Sequence, residues 1–213
     1  MSVAELAGTR RALHGVAELL VAGPQYRATG TMRLAVRPGG FGTTRPYGDL
    51  DLVAVDGIEL VVSRPGGQHR MALAGTYGQL AAAAGLTPGG LDGAYPDPSG
   101  LGPTDEVVVD PGAAAELAAA WAVGDAALRR LGGPDAPVLW PEHFDVAVTL
   151  DRVNYGISPG DAAIGEPYAY VGPPEPRHGP FWNQPFGAAR LVRELGGEDG
   201  VLAFFREGRR LAG

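Results

Sequence analysis

Leu139-Trp-Pro-Glu-His-Phe-Asp-Val-Ala-Val-Thr-Leu150, followed by Asp151-Arg-Val-Asn-Tyr-Gly-Ile-Ser-Pro-Gly-Asp161, decides how the chain reads. Phe144, Val146, Val148 and Leu150 point one way, and His143, Asp145, Ala147 and Thr149 the other. A period of two marks a half-buried β-strand. Val153, Tyr155 and Ile157 continue the apolar set beyond Asp151-Arg152. A hairpin is therefore expected, with Leu150 opposite Val153, Thr149 opposite Asn154, Ala147 opposite Gly156 and Asp145 opposite Ser158. That register gathers His143, Asp145, Thr149, Asn154 and Ser158 on one face, around a floor of the small residues Ala147 and Gly156. Polar groups ringing a shallow floor suit a ligand site on a sheet. They equally suit the wet side of an ordinary antiparallel sheet, and what separates the two is whether the face looks into a hollow.

Working outward, Ser2 and Glu5 form a capping box ahead of Leu6, Leu13, Val16 and Leu20 at helical spacing, with Gly23-Pro24 as the expected stop. Met32, Leu34 and Val36 alternate as a strand, and Pro38 to Gly42 reads as a turn. Leu50–Val55 and Ile58–Val62 form a hairpin whose Asp56-Gly57 fits a type I′ turn. Thr76–Ala84 is a short alanine-rich helix. Gly85 to Thr104 has no periodicity and is expected to be a lid or a seam between two lobes. Asp110-Pro111 is an N-cap with proline at the first helical position. Leu117, Trp121, Gly124, Leu128 and Leu131 mark the buried face of that helix, and Gly132-Gly133 ends it. A Gly/Pro-rich loop from Gly172 to Pro185 precedes helical patterns at Gly187–Leu195 and Asp199–Leu211. The sum is one α+β domain over residues 1–213, a largely antiparallel sheet flanked by about four or five helices.

Composition narrows the chemistry. All 17 basic residues are arginine and there is no cysteine. Lysine-linked cofactors, thiolate nucleophiles, haem thiolate ligation, iron–sulfur clusters and disulfides are thereby excluded. A divalent metal would have to use the four histidines and the carboxylates. A net charge of −7 with scattered arginines argues against nucleic acid as the main partner. No apolar run approaches the roughly 20 residues that span a bilayer. The start of the chain lacks a basic-then-apolar leader, so a cytoplasmic protein is expected.

The candidate site comprises His143 as acid/base, oriented by Asp145 or Glu142, with Asn154, Ser158, Asp161, Tyr168 and Trp182 as ligand-binding residues. Tyr168, Tyr170 and Pro180-Phe181-Trp182-Asn183 supply a possible aromatic wall, though such residues more often roof a core. His143-Phe144-Asp145 has the His-x-Asp spacing of a facial metal triad, resembling the 2-oxoglutarate-dependent oxygenases, with His178 as a third ligand and Arg190 as a carboxylate anchor. Only 35 residues separate the two histidines (178 minus 143), too few for the strands that such a fold places between them. Gly156-Ile-Ser-Pro-Gly160 matches the nucleophile-elbow pattern, but Pro159 lacks the N–H that the oxyanion hole needs. Gly39-Gly40 followed by Asp49-Leu-Asp51 looks like the polymerase-β-like nucleotidyltransferases, in which two carboxylates share magnesium. Glu59, or Asp105 and Glu106, are its candidate third carboxylates. Exposed aromatics allow a third reading, a non-catalytic homodimeric interaction protein.

Trp140-Pro-Glu-His-Phe-Asp145, Asn154-Tyr-Gly156, Ser158-Pro-Gly-Asp161, Glu166-Pro-Tyr-Ala-Tyr-Val-Gly172, Phe181-Trp-Asn183 and Pro185-Phe-Gly-Ala188 form a specific set. On these motifs, and on Pro38-Gly-Gly-Phe-Gly-Thr43, the chain resembles an uncharacterised family of actinobacterial proteins, and its C-terminal third is similar to a bacterial domain of unknown function. The resemblance implies that the important positions lie around the sheet segment and its loops rather than at Asp49 and Asp51. It implies no activity or cofactor.

Overall fold

The computed structural model describes residues 2–91, 93–95 and 98–213. Ten strands form one sheet in which every neighbouring pair is antiparallel, an α+β architecture as expected. Strands β1 (Leu34–Arg37), β2 (Gly40–Thr43), β3 (Leu52–Asp56), β4 (Glu59–Arg64) and β5 (Gly67–Ala72) make one meander. Strands β6 (Val138–Trp140), β7 (Asp145–Leu150), β8 (Val153–Ser158), β9 (Tyr168–Gly172) and β10 (Ala188–Leu191) make a second. The two join through β1 and β6, where Leu34 faces Leu139, so the sheet is continuous across the middle of the chain.

Helices lie against one face. Helix α1 (Val3–Val16) leads through a π-helical turn, Ala17–Ala22, into α2 (Gly23–Thr29), followed later by α3 (Tyr77–Ala84) and α4 (Pro111–Leu131). A single turn, α5 (Val192–Leu195), precedes α6 (Glu198–Ala212). Helix α4 crosses the seam, touching β1 and β2 on one side and β7 and β8 on the other, while α6 covers β8 and β9. Gly124 permits the close crossing: a Cβ there would lie 2.2 Å from Ile157 Cγ1. Gly208 does the same for α6 over Val171, where a Cβ would lie 2.7 Å from Val171 Cγ2. Among the described residues no helix is long and apolar enough to cross a membrane.

Gly23-Pro24 does not stop the first helix. A helical proline removes an N–H and crowds the preceding turn, and the π turn absorbs both effects. Gly23 donates to the Glu18 carbonyl five residues back. Leu19, whose corresponding π partner is Pro24, instead accepts from Gly89 N–H at 3.1 Å. Thr87, Gly89 and Tyr95 of the Gly85–Thr104 segment are tied to the N-terminal helices. Arg27 donates to the Thr87 and Gly89 carbonyls at 2.6 and 3.1 Å, and buried Glu18 accepts from Tyr95 Oη at 2.5 Å.

Three further expectations change. Pro38-Gly39 alone forms the turn, with Gly39 at φ 74°, and Gly40–Thr43 is a buried strand. Glycine is needed there because a Cβ at Gly40 would meet the Val55 carbonyl oxygen at 2.6 Å. Asp56 pairs with Glu59, so the next turn is Gly57-Ile58 rather than Asp56-Gly57. Gly57, at φ 62°, takes the first central position that a type II′ turn reserves for glycine. Ala188–Leu191 is a strand paired with β9 instead of the start of a helix, because ladder hydrogen bonds override a weak helical pattern.

The deciding hairpin has the expected register: Leu150 faces Val153, Thr149 faces Asn154 and Ala147 faces Gly156. Its turn residues, Asp151 and Arg152, both take positive φ, 53° and 68°, the type I′ geometry without glycine. Arg152→Gly relieves this strain, stabilising the chain by about 1 kcal/mol and raising the thermal midpoint by about 2–4 °C in a calorimetric scan. Gly124→Leu overpacks the α4 crossing and costs about 1–3 kcal/mol in a urea titration.

Candidate functional site

Before β7 the chain makes a turn at 141–144 in which Phe144 adopts φ 54°. Its ring is fully buried, parallel to His14 at 5.2 Å and edge-on to Phe41 at 5.3 Å and Trp121 at 4.8 Å. This reversal puts His143 outside, with 73% of its side chain exposed, and starts β7 at Asp145 on the sheet face away from the helices.

Strand β9 supplies the rest of the floor. Tyr170 lies opposite Gly156 and Tyr168 opposite Ser158. The Tyr170 ring lies across Gly156, where a Cβ would come within 2.6 Å of its hydroxyl oxygen and 2.7 Å of its ring carbons. The hydroxyl thereby reaches over β8 and donates to Asp145 Oδ2. Asp145 is only 5% exposed, and its other oxygen, Oδ1, is buried without a hydrogen-bond partner. Burial pushes the Asp145 carboxyl above its ordinary value; the Tyr170 hydrogen bond, the nearby His143 and the residue's own backbone N–H oppose the rise, and Glu142 adds to it. Burial and the neighbouring Asp145 hold the Tyr170 phenol well above its ordinary value.

A second tyrosine–aspartate pair lies beside the first. Tyr168 Oη donates to Asp161 Oδ2 at 2.7 Å, while Ala163 and Ile164 N–H donate to Asp161 Oδ1 at 2.7 and 2.8 Å. Burial would raise the Asp161 carboxyl, but Tyr168, the two backbone donors and the charge of Arg10 outweigh it and hold it below its usual value. Burial, with Asp161 adding to it, pushes Tyr168 up to about 12.

Both pairs line one cavity of about 710 Å³ on the open face of the sheet, with Asn154 and Ser158 on its floor. Pro173, Pro174, Pro185 and Phe186 supply an apolar side, Glu175 a third carboxylate, and His143 stands at its edge. A groove of about 370 Å³ adjoins it, sharing His143, Asp145, Asn154 and Tyr170 and containing Glu142. His143, Asp145, Asn154, Ser158, Asp161 and Tyr168 thus converge as the sequence suggested.

Of the two expected partners of His143, Glu142 is the nearer: it lies in the adjoining groove with its carboxylate 3.9 Å from His143 Nε2. Trp182 departs from expectation, packing edge-on against Phe181 at 4.9 Å, outside the cavity lining. Asp145 is held by Tyr170 rather than by His143, a pairing that sequence reasoning missed. Tyr168 and Tyr170 at i and i+2 were its available signal.

The metal arrangements are not assembled: among the described residues no group of three or more His, Asp or Glu side chains is placed to hold an ion. His178 is exposed, and the Arg190 guanidinium lies 5.9 Å from the centres of the Phe181 and Phe204 rings. Asp49 and Asp51 are exposed and precede β3, with Asp49 paired to Arg64 at 3.1 Å. Glu59 is bound to Arg70, and Asp105 caps Gly102 N–H at 2.7 Å. No family model, curated protein or solved structure matches the chain.

In the folded chain Asp145 keeps its proton over a pH range in which the unfolded chain has released it. Its stabilising contribution is therefore complete below the ordinary carboxylate range and is lost as pH rises through the higher folded range. Tyr170→Phe removes the donor that favours the ionised form. The variant loses about 1–3 kcal/mol at pH 8, and the loss shrinks on acidification, as urea titrations from pH 8 to pH 4 will show. Repeating the series with His143→Gln and Glu142→Gln removes the other titrating groups beside Asp145.

Proposed function

We propose that the chain binds a small polar molecule in the cavity on the open sheet face, with Asp145 as the buried acceptor on its floor and His143 as an acid/base at the mouth. The observation that carries this reading is the buried Asp145 Oδ1, left without a partner in the lining of a cavity of about 710 Å³. A buried polar atom with no partner costs about 1–3 kcal/mol. A ligand that donates to it recovers that energy. The size of the cavity falls in the range of small-molecule sites, and its mixture of apolar wall and few convergent polar groups is of the same kind.

Asp145 and Asp161 lie in opposite electrostatic surroundings. Burial raises the first carboxyl above its ordinary value, and three donors with the charge of Arg10 hold the second below its own, so a ligand that brings a donor or a positive charge gains most at Asp145. The motif stretches around residues 140–145, 154–161, 166–172 and 185–188 supply most of the cavity lining.

Gly172 provides the test. It lies in extended backbone on the cavity side of β9, and a Cβ there would meet nothing closer than 3.7 Å. Gly172→Leu fills the cavity while leaving the Tyr170–Asp145 pair in place. In a thermal-shift screen of polar metabolite-sized compounds, the parent is stabilised by at least one compound and Gly172→Leu by none of the same set, with its ligand-free midpoint close to that of the parent. Equal stabilisation of both proteins would put the ligand elsewhere.

A further inference from the structure

The two carboxylates of the cavity differ in what already neutralises them. Asp161 accepts from three donors and lies near Arg10, which itself reaches the Gly165 carbonyl. Asp145 is more deeply buried, has Tyr170 as its one side-chain donor and, among the described residues, forms no ion pair. Glu175 adds a further negative charge; among the described residues the cavity lining contains no arginine and His143 alone can become cationic, while in the adjoining groove Arg33 is outnumbered by Asp135 and Glu142. An anionic ligand would face this field with almost nothing to meet it.

We propose that the ligand bears a protonated amine, which docks against Asp145 beside Tyr168 and Tyr170 with its organic body along Pro173, Pro174 and Phe186. This deepens the small-molecule reading and rests on it. An ammonium group brings both things the site lacks, a counter-charge for a buried carboxylate and N–H donors for its unpartnered oxygen. An alcohol supplies the donor alone. Aromatic rings around the carboxylate add attraction for a cation and none for a neutral hydroxyl. Phe186, 45% exposed and stacked on Tyr168 at 6.3 Å, extends this apolar side into the solvent.

Ligands matched in shape and differing in charge test the proposal. Phenethylamine, 2-phenylethanol and phenylacetate form one set, and glucosamine with glucose a second. Each is titrated at pH 7 into the full chain, its Asp145→Asn variant and its Gly172→Leu variant, with binding read by calorimetry and protein-observed NMR. The amine of at least one set is expected to bind about ten-fold or more tighter than its neutral partner. Asp145→Asn is expected to abolish that preference, and Gly172→Leu the binding itself. Neutral or anionic members binding as well as the amines, with loss in Gly172→Leu, would overturn the amine class and leave the cavity reading intact. Amine binding that Gly172→Leu does not affect, or no binding by any member, would overturn both.

Discussion

The burial of one ring sets the geometry of the open face. Phe144 inserts between His14, Phe41 and Trp121, bringing together α1, α4, β2 and the start of β7. To deliver the ring there the backbone takes φ 54°, unusual for a bulky residue and tolerated only where packing over-determines it. The consequence lies on the other side of the sheet. The residue before the reversal, His143, faces solvent, and the residue after it, Asp145, begins the strand beneath the cavity. Core packing and site geometry are thus two sides of the same turn.

Glycines govern the second layer of the argument by letting other groups come close. Gly124 brings α4 onto β7 and β8 from the helical side. Gly156, on the opposite face, lets the Tyr170 ring lie flat across β8 and carry its hydroxyl to Asp145. Without that small residue the ring would stand away and Asp145 would be buried without a side-chain donor. The polar site is consistent with a sheet covered on one side only, since helices on both faces would leave no room for a cavity there.

Much of this was legible in the residues. The alternation from Phe144 to Ile157 fixed the hairpin register, and Ser2-Glu5, Thr76 and Asp110-Pro111 marked three helix starts that the structure keeps. These are local signals, resolved within one turn or one strand pair. Pro24, Gly40 and Ala188 misled because each was read by its local preference. A π turn whose freed Leu19 carbonyl is taken by Gly89, a close backbone approach and a ladder of strand hydrogen bonds, each drawing on residues outside the local stretch, prevailed.

The sequence by itself determined an antiparallel α+β protein, without cysteine or lysine chemistry, carrying a row of polar residues on one face of a hairpin. The tertiary structure alone decided that this row borders a hollow, that Tyr170 and not His143 holds Asp145, that Trp182 belongs to the core edge, and that Asp49 and Asp51 face solvent. The physical reason is that a side chain's period tells which way it points, whereas its burial, its partner and its charge state depend on what the rest of the chain places in front of it.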